Sequence, residues 1–237
     1  MIDSGAQRCR WHAFADASAL HQEALRLILD AARTAIADRG AFLVVLAGGT
    51  TPRAIYGQLK QAATAWSAWH IYFGDERCLP AADPARNSRM AAEAWLDHVP
   101  VSANLLHVIP AELGANAAAR IYAESLRRVG EFDLVLLGLG EDGHTASLFP
   151  GNEWGSDPGA SDTIAVLDAP AATPQRVSLS AARLSRARQV LFLVSGASKR
   201  GAVDAWRAGQ NIPAQAIRPE AGVDVLLESA LWLPLRA

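Results

Sequence analysis

Short, continuous apolar runs recur along the chain, and most of them are followed by a helix-like stretch. Strands that are apolar on both faces are typical of a parallel sheet covered by helices on both sides. The alternation predicts an α/β fold, a single-domain three-layer sandwich with a mostly parallel, Rossmann-like sheet covered by helices on both faces. The predicted strands are residues 42–47, 69–73, 105–109, 132–139 and 190–194, with further candidates at 163–167, 176–180 and 223–228.

Helical periodicity fills most of the segments between these runs. Apolar residues from Leu20 to Ala35 fall on one face of a long first helix that stops at Gly40. Pro52 fits the first position of a second helix that Thr51 would cap. Two more helices are predicted at 117–129 and 198–208, and the Gly- and Pro-rich segment 150–160 is predicted to be a surface loop. Strand signals resume after that loop, so we expect one domain over 1–237.

The composition of the chain argues against nucleic acid and membranes as binding partners. A chain of 237 residues with a formal net charge of -2 lacks the basic stripe of a nucleic-acid-binding protein. No apolar run approaches the roughly 18 residues that span a bilayer, and the N-terminus does not read as a secretory signal. The two cysteines, Cys9 and Cys78, have no metal-type spacing. We therefore expect a cytoplasmic protein that binds neither nucleic acid nor membrane.

Four predicted strands end in small, acidic or basic residues. The sequence after them reads GGTTP from Gly48, GDER from Gly74, GEDGHTAS from Gly140 and SGASKR from Ser195. Ligands of open parallel sheets bind at the carboxyl ends of strands. These four segments are therefore expected to converge on one cleft.

The GGTTP segment has the features of a phosphate cradle. Gly48 and Gly49 allow the backbone to approach an anion, Thr50 and Thr51 add hydroxyl donors, and the following helix points its N-terminus at the same place. The segment lacks the lysine and spacing of a nucleotide P-loop, which favours a simple phosphomonoester over ATP. The alternative is a βα turn that needs glycine for geometry alone.

Basic residues near two other strands are candidate ligands for the same anion. Lys199 and Arg200 follow a strand end directly, although such a pair is often simply solvated. Arg176 at a strand start is ordinarily a surface charge, and Arg77 could pair with Asp75 or Glu76. Three charges in a row behind an apolar strand nevertheless suggest the wall of a cleft.

The GEDGHTAS segment and the strand end before it contain the spacing G-x-G-x-x-G at Gly138, Gly140 and Gly143. This is the pattern of a dinucleotide-binding turn, but that turn normally follows the first strand of its domain. The intervening sequence before Asp162 cannot supply the required helix and second strand. Acidic residues in the loop would also repel a pyrophosphate, so a dinucleotide-dependent oxidoreductase is the third-ranked alternative.

His144 is the candidate proton-transfer residue. It leaves a buried strand and stands two residues from Asp142, whose carboxylate can orient the ring and stabilise its charged form. Thr145 and Ser147 follow it and could instead serve as helix caps. With no second His or Cys nearby, the segment does not predict a metal site, and no cofactor is expected.

Five segments together resemble 6-phosphogluconolactonase, a family in one superfamily with glucosamine-6-phosphate deaminase/isomerase. The segments are LAGGTTP, FGDER, GLGEDGHTASLFPG, RVSLS and SGASKR, in the family's order. The resemblance implies that His144 is the general base that activates water and that Asp142 supports it. It also implies a sugar-phosphate lactone as the substrate, and its hydrolysis as the reaction. Arg77 joins these two catalytic candidates as a possible donor to the developing oxyanion.

The resemblance also implies the residues that bind substrate and phosphate. Asn87 matches the asparagine of a family Ser-Asn pair, and Arg86 stands here in place of the serine. The roles of Asp75 and Glu76 stay open. The remaining implied binding residues are Gly48, Gly49, Thr50, Thr51, Arg176 and Lys199.

Isomerase-deaminases of the same superfamily are the sharpest alternative. They resemble this chain at the GGTTP-type loop and at Asp-Gly-His, and they carry a glutamate a few residues later for opening the sugar ring. Phe149 stands at that position here, and a phenylalanine cannot shuttle a proton. A non-catalytic sugar-phosphate sensor is a second alternative, although the sequence has no spare segment for a DNA-binding helix pair. We expect a monomer or a weak homodimer.

Overall fold

A computed structural model describes residues 7–232 and contains two sheets. Seven strands form a fully parallel sheet in the order β1-β10-β9-β6-β2-β3-β5, and three form an antiparallel sheet in the order β4-β8-β7. The strands are β1 (Cys9–Phe14), β2 (Phe42–Leu46), β3 (Trp69–Phe73), β4 (Asp75–Arg77), β5 (Leu106–His107), β6 (Phe132–Gly138), β7 (Thr163–Val166), β8 (Arg176–Leu179), β9 (Ala187–Val194) and β10 (Val223–Glu228).

Helices cover the large sheet on both faces, which confirms the predicted α/β sandwich. Both sheets contribute to one main hydrophobic cluster, in which the central strand β6 is buried from Phe132 to Leu137. No helix within residues 7–232 has the length and apolarity needed to cross a membrane. The helices are α1 (Ala17–Arg39), α2 (Thr50–Leu59), α3 (Asn87–Ala94), α4 (Ala115–Leu126), α5 (Ala181–Ser185) and α6 (Arg200–Arg207).

The strand predictions succeed where both faces of a strand are buried. β2, β3, β6, β9 and β10 all lie within or close to the predicted ranges. The predicted strand 105–109 is shorter in the structure because β5 is an edge strand, and Val108 beyond it is 42% exposed. β1 was not predicted, since this other edge strand alternates polar and apolar residues instead of forming an apolar run.

Helix α1 ends where the sequence predicts. The Asp16 side chain accepts a hydrogen bond from the backbone of Ala19, and Gly40 ends the helix with φ of 77°. The predicted cap of the second helix is wrong: α2 begins at Thr50, and Gly49 is its N-cap, with φ of 106°. Pro52 still lies in the first turn, where its missing N–H costs no helical hydrogen bond.

Candidate active site

Two adjoining cavities open at the carboxyl ends of β2, β3, β6 and β9. The first has a volume of about 200 Å³ and the second of about 390 Å³, and both are lined by Arg77, His144, Arg176 and Lys199. Gly48, Gly49 and Asn87 line the first cavity, and Asp142 lines the second. The structure thus brings eight of the ten predicted site residues together; Thr50 and Thr51 lie in the first turn of α2 and line neither cavity.

Two hydrogen bonds, one at His144 and one at the residue after it, hold the loop that follows β6. Thr145 Oγ1 donates to the carbonyl of Gly138 at 2.8 Å, and the N–H of Gly140 donates to the carbonyl of His144 at 2.7 Å. The ring Nδ1 of His144 lies 2.6 Å from Oδ1 of Asp142. Its Nε2 has no hydrogen-bond partner in the described part of the chain, so this nitrogen is free to accept a proton.

Asp142 is held in its ionised form by the same contacts. Burial raises the pKa of this carboxyl, but hydrogen bonds from the backbone and the ring of His144, together with the charge of the ring, outweigh burial and lower the pKa. An ionised carboxylate at Nδ1 fixes the ring tautomer that leaves Nε2 unprotonated, and it stabilises the imidazolium that forms when Nε2 takes a proton. The pair is therefore suited to general base catalysis.

Gly140 and Gly143, the last two glycines of G-x-G-x-x-G, serve side-chain packing in this loop. A Cβ atom on Gly140 would lie 2.0 Å from Nδ1 of His144, so only glycine permits this ring position. Gly143 has φ of 86°, and a Cβ there would lie 2.9 Å from the Cβ of Ile212. The histidine ring itself occupies the side of the turn at Gly140, which explains the glycine spacing without a dinucleotide.

Arg77 and Arg176 lie directly opposite each other on the antiparallel strands β4 and β8. Like charges in this relation are destabilising, and neither guanidinium forms an ion pair with a carboxylate within the described residues. Arg77 donates to the carbonyl of Ala85 instead, and Nε of Arg176 donates to the carbonyl of Thr173 at 2.9 Å. Two cations that form no ion pair among the described residues make this wall of the cavity a favourable place for an anion.

The sequence also allowed Arg176 to be a surface charge and Arg77 to pair with Asp75 or Glu76. The structure contradicts both of these interpretations. Arg176 is only 9% exposed and is not a surface charge. Burial is the main cause that lowers its pKa, against the opposing charge of Asp75. Arg77 does not pair with Asp75 or Glu76 through its side chain; only its backbone N–H donates to Glu76. Both cations thus stay available to a ligand.

The GGTTP turn packs directly against Asn87. A Cβ on Gly48 would lie 2.0 Å from Oδ1 of Asn87, whose Nδ2 donates to the backbone and side-chain oxygens of Asp75 at 2.9 Å each. No side chain within residues 7–232 caps α2 at Gly49, so the positive end of the helix faces the cavity without an acceptor of that part of the chain. The turn therefore has the features of the predicted anion cradle.

Asp75 and Ser147 form a link that sequence reasoning did not find. Ser147 Oγ donates to Oδ2 of Asp75 at 2.6 Å, while Oδ1 accepts from Asn87. The end of β3, the helix α3 and the loop that carries His144 are joined through this one buried carboxylate. A serine spaced three residues after the histidine was the available signal, but the sequence also allowed a helix cap.

Glu76 and Arg86 form a buried structural network behind the cavity. Glu76 accepts hydrogen bonds from the backbone N–H groups of Asn87 and Ser88 at 2.7 and 2.8 Å, so it caps α3 from a neighbouring strand. Arg86 is 1% exposed; its Nε lies 3.4 Å from Glu76, and its Nη1 lies 2.7 Å from Oε2 of Glu112. The arginine that replaces the family's serine therefore lines neither cavity.

Phe149 packs against the ring of His144 and lines the second cavity. Its ring centroid lies 4.7 Å from that of His144, and it is 2% exposed in a small cluster with Val166 and Ala169. Its backbone carbonyl accepts a hydrogen bond from the indole of Trp154 at 2.7 Å. The position at which the isomerase-deaminases carry their glutamate is thus filled by an apolar wall.

Comparisons of the sequence with known proteins find a matching family and several relatives. A sequence model of the family described as glucosamine-6-phosphate isomerases/6-phosphogluconolactonase matches residues 15–227. Over 230 residues the chain is 35% identical to a 6-phosphogluconolactonase from Synechocystis, which covers 92% of this chain and 94% of the relative.

Solved structures show the same fold at lower identity. A 6-phosphogluconolactonase from Thermotoga maritima superposes with a TM-score of 0.86 at 23% identity, over 93% of this chain and all of the other (100%). A monomeric glucosamine-6-phosphate deaminase superposes with a TM-score of 0.77 at 21% identity, over 95% of this chain and 98% of the other. The fold alone therefore does not separate the two activities. The sequence match does establish that the chain belongs to the glucosamine-6-phosphate isomerase/6-phosphogluconolactonase family.

Proposed function

We propose that this protein hydrolyses 6-phospho-D-glucono-1,5-lactone to 6-phospho-D-gluconate, the second step of the oxidative pentose phosphate pathway. The observation that carries the proposal is the His144–Asp142 pair, with Nδ1 and Oδ1 2.6 Å apart, beside unpaired cations in joined cavities. A base next to an anion site suits a phosphorylated substrate that is attacked by water. Relatives that carry the name 6-phosphogluconolactonase over nearly the whole chain support the same reading.

The phosphate would bind at the end of the cavity formed by the GGTTP turn. The N-terminus of α2 offers N–H groups, and Lys199 and Arg176 supply charge-assisted hydrogen bonds to phosphate oxygens. Anchoring the phosphate fixes the lactone ring, so its C1 carbonyl is held near His144. Holding the reactants in place in this way supplies part of the rate enhancement.

The chemistry would need one base and no cofactor. Nε2 of His144 takes a proton from a water molecule as the water oxygen bonds to C1, which gives a tetrahedral intermediate with negative charge on the former carbonyl oxygen. Arg77, which lines both cavities, is placed to stabilise that charge. The intermediate collapses as the bond between C1 and the ring oxygen breaks, and the imidazolium returns its proton to that oxygen. The product is the open-chain hydroxy acid.

Phe149 argues against the deaminase activity of the same family. Ring opening of an amino sugar needs an acid near the histidine, and a buried phenylalanine fills that place. The carboxylate of Asp75 is already occupied, because it accepts hydrogen bonds from Ser147 and Asn87. Lactone hydrolysis does not require residue 149 or Asp75 to donate a proton.

A paired assay tests the proposal. Lactone generated in place by glucose-6-phosphate dehydrogenase is followed with and without the protein, and ammonia release from glucosamine 6-phosphate is measured on the same preparation. We expect fast lactone decay and no ammonia. Ammonia release without faster lactone decay would replace the proposal with the deaminase activity.

A further inference from the structure

Glu228 links the last strand of the large sheet to the segment that carries Lys199. Strand β10 ends at Glu228, beside the end of its parallel neighbour β9. Oε1 of Glu228 accepts a hydrogen bond from Ser195 Oγ at 2.6 Å and another from the N–H of Gly196 at 2.8 Å. Glu228 itself lines neither cavity of the candidate active site.

The other contacts of the segment held in this way also lead to the end of β10. Gly196 has φ of 98°, and it leads into a single 3-10 turn, Ala197–Lys199, before α6 begins. This turn packs on another short turn, Ser229–Leu231, which directly follows Glu228. The guanidinium of Arg200 also donates to the carbonyl of Ala230. The position of Lys199 therefore depends on the end of β10.

We propose that Glu228 is a positioning residue for the reaction, which holds the Ser195–Lys199 segment so that the Lys199 ammonium stays at the phosphate end of the cavity. This inference rests on the proposed function, since it takes the substrate to carry a phosphate. A hydrogen bond to an ionised acceptor is about twice as strong as one between neutral groups, so one carboxylate oxygen with two donors is an effective anchor. Glu228 acts through Lys199 and does not touch the substrate.

The role predicts a selective kinetic effect. Without the anchor, the turn can shift by an ångström or more, and misplacement on this scale costs up to about 100-fold in contacts that need exact geometry. Lysine is a point charge on a flexible stem and tolerates more movement. We therefore expect Glu228→Ala to raise KM for the phosphorylated lactone about tenfold while kcat stays within about twofold, because the His144–Asp142 pair lies on a different loop.

The experiment compares four variants on two substrates. Glu228→Ala, the conservative Glu228→Gln, Lys199→Ala and the double variant Glu228→Ala/Lys199→Ala are assayed on 6-phosphogluconolactone and on unphosphorylated glucono-1,5-lactone. Glu220→Ala, which removes an exposed carboxylate just before β10, is the control. Melting temperatures of all variants separate a positioning role from a loss of folding.

The expected KM values differ between the variants and between the two lactones. Glu228→Ala raises KM only for the phosphorylated lactone, Glu228→Gln keeps an acceptor oxygen and stays within about threefold of the wild type, and the double variant is no worse than Lys199→Ala. An unchanged KM in Glu228→Ala, beside a raised KM in Lys199→Ala, would overturn the inference and leave the proposed function standing. Equal losses on both lactones would also overturn it, since they would show a general structural role. A wild-type protein that hydrolyses neither lactone would remove the proposed function and the inference with it.

Discussion

Oδ1 of Asp142 lies 2.6 Å from the ring Nδ1 of His144 and 3.0 Å from the backbone nitrogen of the same residue. One carboxylate oxygen thus orients both the ring and the backbone of the candidate base. Nδ1 must carry the proton in this arrangement, so Nε2 presents its lone pair to the substrate cavity. The division of roles between the two ring nitrogens leads to the first prediction.

Replacing Asp142 should lower kcat in two steps. Asp142→Asn keeps an acceptor oxygen but loses the charge that stabilises the imidazolium, which changes a charged hydrogen bond into a neutral one and costs about tenfold. Asp142→Ala also loses the orientation of the ring and should cost about 100-fold. Steady-state kinetics on the lactone measure both. A kcat equal to that of the wild type in Asp142→Ala would contradict the role of Asp142.

The lowered pKa of Asp142 also predicts a pH dependence. The pKa lies below its ordinary value of 3.8, so the carboxylate stabilises the native state above that pH, and this contribution is lost as the pH falls through the lowered pKa. Urea unfolding of the wild type and of Asp142→Asn should therefore differ most at neutral pH and converge as the pH falls through the lowered pKa, below 3.8. A difference between them that grows on acidification would have the wrong sign.

Gly140→Ala should impair catalysis more than folding. The added Cβ would lie 2.0 Å from Nδ1 of His144, and the ring must move away from Asp142 to make room. Because misplacement by about 1 Å can cost up to 100-fold, kcat should fall by at least about tenfold. Gly130→Ala is the matched control, since a Cβ there meets nothing within 4 Å. Similar activity in the two variants would show that the ring position is not needed.

The facing arginines predict a phosphate-dependent stabilisation. At about 100 times its Kd, 6-phosphogluconate should stabilise the fold by about 2.7 kcal/mol, a rise in Tm of about 5 to 10 °C for a chain of this size. Unphosphorylated gluconate should give a much smaller shift, and Arg176→Gln should reduce the shift that depends on phosphate. Thermal unfolding measures each case. Equal shifts for the two ligands would place the phosphate away from this wall.

Replacing Glu76 should lower the free energy of unfolding. Its carboxylate caps α3 and lies beside the buried Arg86, so Glu76→Gln leaves a buried cation without this partner and should cost about 3 to 5 kcal/mol. Glu112 contacts the same arginine, but its side chain is 39% exposed, and Glu112→Gln should cost less than about 1 kcal/mol. Urea unfolding of the Glu76→Gln and Glu112→Gln variants measures both losses of stability. Equal losses would mean that burial does not set the cost.

The sequence predicts the sheet well because its central strands are buried on both faces. Leu134 to Leu137 form an unbroken apolar run within the buried strand β6, and such a run has few other interpretations. The edge strand Cys9–Phe14 alternates instead and is missed, as is the three-residue strand Asp75–Arg77, which is too charged to read as a strand. Both become strands through tertiary pairing, which local pattern does not record.

The residues of the candidate site could be predicted from the sequence, but the contacts that hold them in place could not. His144, Asp142 and the GGTTP turn stand at strand ends, and topology brings strand ends together. Asp75 bonds to Ser147 over 72 residues, and Glu76 caps α3 from a strand 11 residues earlier, so no sequence spacing reveals either contact. The glycine pattern around Gly140 suggested a nucleotide turn, and only the position of the histidine ring shows what the glycine is for.

The most direct test of the account is the hydrolysis of freshly generated 6-phosphogluconolactone by the wild type and by His144→Ala, with 6-phosphogluconate binding measured on both. We expect rapid hydrolysis by the wild type, a loss of roughly 100- to 10,000-fold in the variant, and similar binding of the product by the two proteins. Turnover by His144→Ala close to that of the wild type would contradict the assignment of the base. No acceleration by the wild type would contradict the function itself.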